Sequence, residues 1–438
     1  MAEKMKPSGI DWIGDIPNNW ETSRIKYHYQ ISLGKMLQPI QENSTDTLEH
    51  YMCSANITWA GVDTSILKQM WFSPAEKKQY RLLDGDLLVS EGGDVAVSCI
   101  WRNELDECYL QNAVHRVRQN ALSDNRFIYY WLFFLKNYGI VDLICNKATI
   151  AHFTKEKFGE LPICIMSIDE QVAIADFLDK ECAQIDSIAA DLEKQIELLQ
   201  QYKKSLITET VTKGLDTSVP MKDSGVEWIG EIPEHWEISR VRHLASLCSG
   251  ATPSKDVLSY WEGNIPWVSS QEVKSDIIKD TSLHISEEAI NSCSTQLMPA
   301  GTLVMVVRSG ILQHTIPVAL LGVPATINQD IKAFQFNHLM LPAYFKYYIQ
   351  GENDALLSVI IKDKTTVESV DNQLLLSLKI MVPPIEEQKA IVAFLNYKCG
   401  YIDKILNDKQ EQLNLLMQHK KSLIYEYVTG KKRVKEVQ

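Results

Sequence analysis

The sequence predicts a mixed α/β protein made of two tandem halves, each closed by a long helix. Three observations carry that expectation: a block repeated near the start of each half, a second block repeated near its end, and apolar residues spaced by three, four and seven after that second block. At 438 residues the chain exceeds the usual size of one hydrophobic core, so two or more domains are expected.

The first block runs Ser8-Gly-Ile-Asp-Trp-Ile-Gly-Asp-Ile-Pro-Asn-Asn-Trp-Glu-Thr-Ser-Arg24. It recurs as Ser224-Gly-Val-Glu-Trp-Ile-Gly-Glu-Ile-Pro-Glu-His-Trp-Glu-Ile-Ser-Arg240, 216 residues later. The second begins Glu170-Gln171 with Ala173-Ile174 and Phe177-Leu178, and returns 217 residues later as Glu387-Gln388 with Ala390-Ile391 and Phe394-Leu395. Lys203-Lys-Ser-Leu-Ile207 returns intact as Lys420-Lys-Ser-Leu-Ile424. Between the blocks the halves differ widely, with faint echoes such as Asp84-Gly-Asp-Leu-Leu88 against Ala300-Gly-Thr-Leu-Val304. One scaffold used twice therefore carries two unlike surfaces.

Within the divergent stretches, Leu87-Leu-Val-Ser90 and Leu303-Val-Met-Val-Val307 read as buried strands, bounded by Gly and Asp. Phe127 to Leu135 and Ala343 to Ile349 read as helices packed on them. In the closing helices, Ile185, Ile188, Leu192, Leu199, Tyr202 and Leu206 form one expected seam. Ile402, Ile405, Leu416 and Leu423 form the other, with Lys409, Gln412 and His419 as polar intrusions that fix register. A helix of roughly 40 residues would reach about 60 Å, the length of a spacer.

Composition is that of an ordinary globular protein, 45% hydrophobic and 23% charged. No apolar run approaches the length of a membrane span and the start has no apolar signal core, so a cytoplasmic location and no membrane partner are expected. Nine cysteines without Cys-x-x-Cys pairs or Cys/His clusters point to reduced thiols and no metal site. Phosphate-loop, Gly-x-Gly-x-x-Gly and His-Glu-x-x-His motifs are missing, as is the Asn-Pro-Pro-Tyr type of adenine-methyltransferase motif. A non-catalytic chain is the expectation. The net charge of −12 argues against strong unaided binding to free DNA, whose affinity for proteins comes mainly from neutralised phosphates.

The doubled Ser-Gly-x-x-Trp-Ile-Gly-x-Ile-Pro-x-x-Trp block, the doubled Glu-Gln-x-x-Ile-x-x-Phe-Leu segment and the doubled Lys-Lys-Ser-Leu-Ile resemble the specificity subunits of Type I restriction-modification systems across essentially the whole chain. Gly250-Ala-Thr-Pro253, Ile265-Pro-Trp-Val268 and Asn328-Gln-Asp-Ile331 add to the likeness in the second half. The first half departs from it, with Leu33-Gly-Lys-Met36 and Gln111-Asn-Ala113 at the corresponding places.

The resemblance implies two target-recognition domains, 1–165 and 216–382, held apart by antiparallel coiled-coil helices at 166–215 and 383–438, the latter with a C-terminal tail. The two copies would be related by internal pseudo-two-fold symmetry. It also implies an asymmetric bipartite site in double-stranded DNA, two methyltransferase subunits as partners, and restriction subunits attached through them. S-adenosylmethionine, ATP and magnesium would then belong to those partners, with no cofactor in this chain. The rival reading is a coiled-coil adaptor or decoy that binds methyltransferase subunits without reading DNA.

Base edges in the major groove are read by Arg, Lys, Asn and Gln through paired hydrogen bonds, so such residues near strand ends are the candidates. In the first half they are Lys35, Gln38, Asn56, Gln111, Asn112, His115 and Lys147. In the second they are Thr252, Lys255, Gln271, Arg308, Asn328, Gln329 and Lys364. For any one of them the competing reading is a solvated surface residue or a satisfied turn. Trp12, Trp20, Trp228 and Trp236 are expected to pack in the interior rather than to stack on bases. The closing run Lys431-Lys-Arg-Val-Lys435 reads as a frayed tail or a phosphate contact.

Overall fold

The computed structural model describes residues 4–145, 152–361 and 367–434. It divides into two compact units, one made of residues 1–193 with 411–438 and the other of residues 194–410. Both boundaries fall inside long helices, Ile168–Lys213 and Ile385–Val428.

In the first unit an antiparallel four-stranded sheet runs in the order Ser98–Ile100, Leu87–Ser90, Val114–Gln119, Tyr29–Leu33. Its strands are short and rich in β-branched and aromatic residues, and helix Asn125–Asn137 covers one face with Phe127, Trp131 and Phe134 fully buried. Asp124 caps that helix by accepting from the amides of Arg126 and Phe127. A second sheet of three strands pairs Tyr109–Leu110 in parallel with Tyr51 and Met52 of Thr47–Met52, flanked by Lys68–Phe72. The second unit repeats this plan. A five-stranded sheet centred on Leu303–Val306 packs against helix Pro342–Gly351, and a smaller sheet pairs Trp267–Val268 in parallel with Thr326–Ile327. The strands and helices expected at Leu87, Leu303, Phe127 and Ala343 are all present.

The doubled blocks close each unit in the same way. Strand Glu21–Arg24 pairs with Pro162–Ile165, and Glu237–Arg240 with Lys379–Val382. Trp20 is fully buried and its indole N–H donates to Glu170 at 3.0 Å; Trp236 does the same to Glu387 at 3.0 Å. Gln171 accepts from the Asp124 amide and donates to the Leu122 and Met166 carbonyls. Its counterpart Gln388 accepts from Leu341 and donates to Leu339 and Pro383. The Glu-Gln doublet is therefore a stitch joining the start of each long helix to the loop before the domain helix. Buried polar groups need such partners. Trp12 packs tilted against Trp131 and Phe134 and Trp228 lies against the second core, so the four tryptophans pack internally as expected.

The long helices, Ile168–Lys213 and Ile385–Val428, have 46 and 44 residues. Within the first unit, Lys420 pairs with Asp186 at 2.6 Å and the Tyr427 ring packs tilted against Phe177, so the two helices run antiparallel. Within the second, Lys409 donates to Gln195 at 2.6 Å and Lys203 pairs with Asp403 at 2.5 Å, again antiparallel. The seam itself needs correcting. Ile188 and Tyr202 are exposed, and the covered line is Ile185, Ala189, Leu192, Ile196, Leu199, Lys203 and Leu206. On the second helix Gln412 and His419 are also exposed, while Lys409 and Lys420 are the polar intrusions.

The basic run near the end is not frayed through residue 433. Lys431 donates to the Asp15 carbonyl, Lys432 pairs with Glu426 at 2.9 Å, and Arg433 lies over Trp20 and pairs with Glu170 at 2.7 Å. Lys435 lies outside the described residues. Among the described residues, no helix is long and apolar enough to cross a membrane.

Candidate nucleic-acid interface

In the second unit, four of the named residues come together where the small parallel sheet ends. Gly250 packs so tightly on residue 327 that an added Cβ would lie 1.6 Å from the Ile327 carbonyl oxygen. That approach is possible only without a side chain, and it brings the Gly250-Ala-Thr-Pro253 turn beside Asn328-Gln329. The Asn328 amide donates to Val268 at 3.0 Å, which fixes Asn328 next to the turn carrying Gln271. Thr252 donates its hydroxyl to Gln329 Oε1 at 2.6 Å, while the Gln329 side chain stays exposed. Asn328 is itself buried and accepts from the Asp330 amide, so it shapes the turn. Lys255 lies exposed on the following loop. Arg308 is exposed at the end of its strand, bridging to Ser369 through the backbone.

The first unit has the same backbone frame with different side chains. Gly34 lies against Leu110 and Gln111, where a Cβ would sit 2.4 Å from the Gln111 carbonyl oxygen. The Gln111 amide donates to Met52 at 3.1 Å, the counterpart of the bond from Asn328 to Val268. Gln111 and Asn112 are half-buried and bonded to one another at 2.5 Å.

The remaining first-unit candidates are placed inward. Lys35 is buried, with its ammonium held by Gln38 and Glu76 at 2.5 Å each and lying over the Phe72 ring. Asn56 is buried and staples a loop through Cys53, Asp63 and Ile66. His115 is fully buried and bonded to the Phe153 carbonyl at 2.6 Å; burial pushes its pKa down, so the ring is neutral. None of these three presents a polar edge to solvent. Lys147 and Lys364 lie outside the described residues.

Sequence reasoning passed over two features of the first unit. Lys77, Lys78, Arg81 and Arg118 line a cleft of about 260 Å³ with Glu107. The loop Met36–Ile40 stands on the Gly34 turn and borders a second cleft of about 510 Å³ with Glu76 and Tyr80. Apolar loop residues gave no polar signal to follow. Among the described residues, no group of His, Cys, Asp or Glu is placed to hold a metal ion. The arrangement offers two similar frames that present different amides, hydroxyls and apolar tips.

Comparison with known proteins places these frames. The family model described as the Type I restriction modification DNA specificity domain matches twice, at residues 17–198 and 233–415. The chain is 31% identical over 279 residues to the Type I restriction enzyme EcoR124I/EcoR124II specificity subunit of Escherichia coli, covering 62% of each chain. It is 24% identical to the MjaVIII specificity subunit of Methanocaldococcus jannaschii, over 96% of this chain and 95% of that one. Among solved structures it resembles in fold a chain of a type I R-M system, with a TM-score of 0.73 at 14% identity, covering 95% of this chain and 99% of that one. The HsdS subunit from Thermoanaerobacter tengcongensis is similar at a TM-score of 0.51 and 13% identity, over 95% and 98% of the two chains.

Proposed function

For a chain that belongs to the Type I restriction-modification DNA specificity family, we propose that each unit reads one half of an asymmetric, bipartite site in duplex DNA. The carrying observation is the repeated frame: Gly34 against Leu110 and Gly250 against Ile327 hold matching backbone while the side chains on it differ. Equal frames with unlike faces suit equal grooves with unlike bases. Each well-made paired contact to a base edge discriminates by about 1–3 kcal/mol, so a few per unit suffice for a defined half-site.

The chain would supply the address alone. Methyl transfer, translocation and cleavage would lie with two methyltransferase subunits and the restriction subunits attached through them, which would also bind S-adenosylmethionine, ATP and magnesium. A reader carrying a net charge of −12 gains little from phosphate attraction, so the lone chain is expected to bind DNA weakly and to acquire site affinity with its methyltransferase partners. Gel shift with and without those partners checks this, and tight site-specific binding by the lone chain would contradict it.

The decisive experiment sequences modified adenines in cells that express the methyltransferase subunits with and without this chain. A two-part motif that depends on the chain supports the reading. Methyltransferase binding with no motif would favour the adaptor or decoy instead.

A further inference from the structure

In both units the loop that springs from the close-packed glycine carries large apolar side chains into solvent. Met36, Leu37 and Ile40 are 74%, 56% and 73% exposed in the first unit, and Leu258 is 74% exposed in the second. Such side chains usually cover themselves when a loop is free to collapse. These loops are braced instead. The Gln38 carbonyl accepts from the Trp71 amide at 3.0 Å, and the Gln38 side chain bonds both the buried Lys35 and the Ile40 carbonyl. In the second unit the Val257 carbonyl accepts from the Tyr260 amide at 3.1 Å, and the Trp261 indole donates to the Ser254 carbonyl at 3.0 Å. Trp261 then stands edge-on to Trp267, which donates to the Ala251 carbonyl at the root of the same loop.

We propose that these two apolar loop tips are specificity-determining contacts, pressed against base edges of the DNA half-site read by their own unit. The inference rests on the DNA-reading function above and names residues the polar candidates omit. Three observations select DNA as the occupant. Each loop is rooted at the glycine that packs beside that unit's polar candidates, Gln111-Asn112 or Gln329, so the tips continue the candidate interface. The tips are held out by bonds at their bases, as a rigid apolar reader of thymine methyl groups or a wedge at a base step would need. Finally, the two loops are unlike in sequence while the frames beneath them match. A protein partner present in two equal copies would meet like surfaces, whereas two different half-sites call for different ones.

The test uses the full chain with its methyltransferase subunits, in cells, with modified adenines mapped by sequencing. The triple variant Met36→Ser, Leu37→Ser, Ile40→Ser is expected to relax one half of the motif at least tenfold and leave the other unchanged; Leu258→Ser is expected to do the reverse. The single variant Ile40→Ser carries the first arm if the triple variant marks no DNA. Purified complexes add a chemical readout, since replacing thymine by uracil in the affected half-site should weaken the wild type and leave the serine variant indifferent. An unchanged motif in both variants overturns the proposal, as does equal relaxation of both halves. Loss of co-purification with the methyltransferase subunits also overturns it, by showing a protein-docking surface. If the wild type itself directs no motif, the function reading has failed; if it does and the loop variants match it, only this inference has.

Discussion

Replacing Gly250 by alanine should blind the second unit while sparing the first. The new Cβ would start 1.6 Å from the Ile327 oxygen and 2.3 Å from its carbonyl carbon, both backbone atoms that no side-chain rotation can move. Reaching ordinary contact requires the two segments to part by about 1.8 Å. That displacement breaks the geometry of the 3.0 Å bond from Asn328 to Val268 and the 2.6 Å bond from Thr252 to Gln329. Two hydrogen bonds at about 1 kcal/mol each, with overpacking strain of similar size, give a local cost of about 2–4 kcal/mol. Because Thr252 and Gln329 ride on the displaced segments, one paired base contact at about 1–3 kcal/mol should also be lost, a fall of roughly fivefold to 150-fold in affinity. The assay is anisotropy of the assembled complex on duplexes with each half-site scrambled in turn. Gly34→Ala should strike the opposite half-site, and Gly310→Ala, whose added Cβ meets nothing within 4 Å, should leave both intact. The reasoning is refuted if Gly250→Ala discriminates as the wild type does, or if it and Gly34→Ala weaken the same half-site.

The Glu352 carboxyl is buried near Tyr344 and Tyr348 and makes no hydrogen bond or ion pair among the described residues; burial raises its pKa. A carboxyl raised in the folded state costs stability as pH climbs past its unfolded value, so Glu352→Gln should raise Tm by about 2–4 °C per kcal/mol recovered, more at pH 8 than at pH 5. A gain that grows toward acid pH would contradict that sign. Burial pushes the thiols of Cys99, Cys108, Cys164 and Cys182 up to about 12, while Cys53, Cys248 and Cys293 are partly exposed. Native protein at pH 8 should therefore titrate no more than these three thiols with an aromatic disulfide reagent, and fast reaction of a fourth would show a looser core. Inserting one heptad into both long helices, after Leu192 and Lys409, adds about 10 Å and should lengthen the unread gap by about three base pairs with both half-sites unchanged. Modified-adenine mapping reads this directly, and an altered half-site counts against the spacer role.

Repetition made the architecture legible. Trp20 with Glu170 and Trp236 with Glu387 recur because each unit must be sewn shut by the same bond, and a doubled pattern in sequence is the trace of a doubled constraint. The seam of the long helices was legible in spacing but not in phase. Ile188 and Ala189 are neighbours that each fit a three-four pattern, and only the partner helix decides that the small Ala189 is covered while Ile188 stays out. Residue type and loop position singled out Thr252 and Gln329, which the fold joins by a hydrogen bond with Gln329 exposed, but a polar type can also have a second use. Lys35, Asn56 and His115 have the chemistry of base readers, yet the fold spends them on Glu76, a loop staple and the Phe153 carbonyl. The kinship of Gly34 with Gly250 was hidden because the frame asks only for a missing side chain, which a stretch as different as Leu33-Gly-Lys-Met36 supplies equally well.

The first unit takes its final residues from the far end of the chain: Leu423, Ile424 and Val428 lie in the same core as Trp20 and Trp131. The second unit is contiguous, residues 194–410, and has everything it requires as soon as that stretch is made. Order of synthesis and order of completion are therefore reversed. At a ribosomal pace of about 5–20 residues per second, the portion made first waits on the order of 10–40 seconds for its missing strip, with apolar surface uncovered meanwhile. A premature stop shortly before residue 411 would leave a finished second half joined to an amino-terminal half that can never close, and quality control would meet that product as an open core.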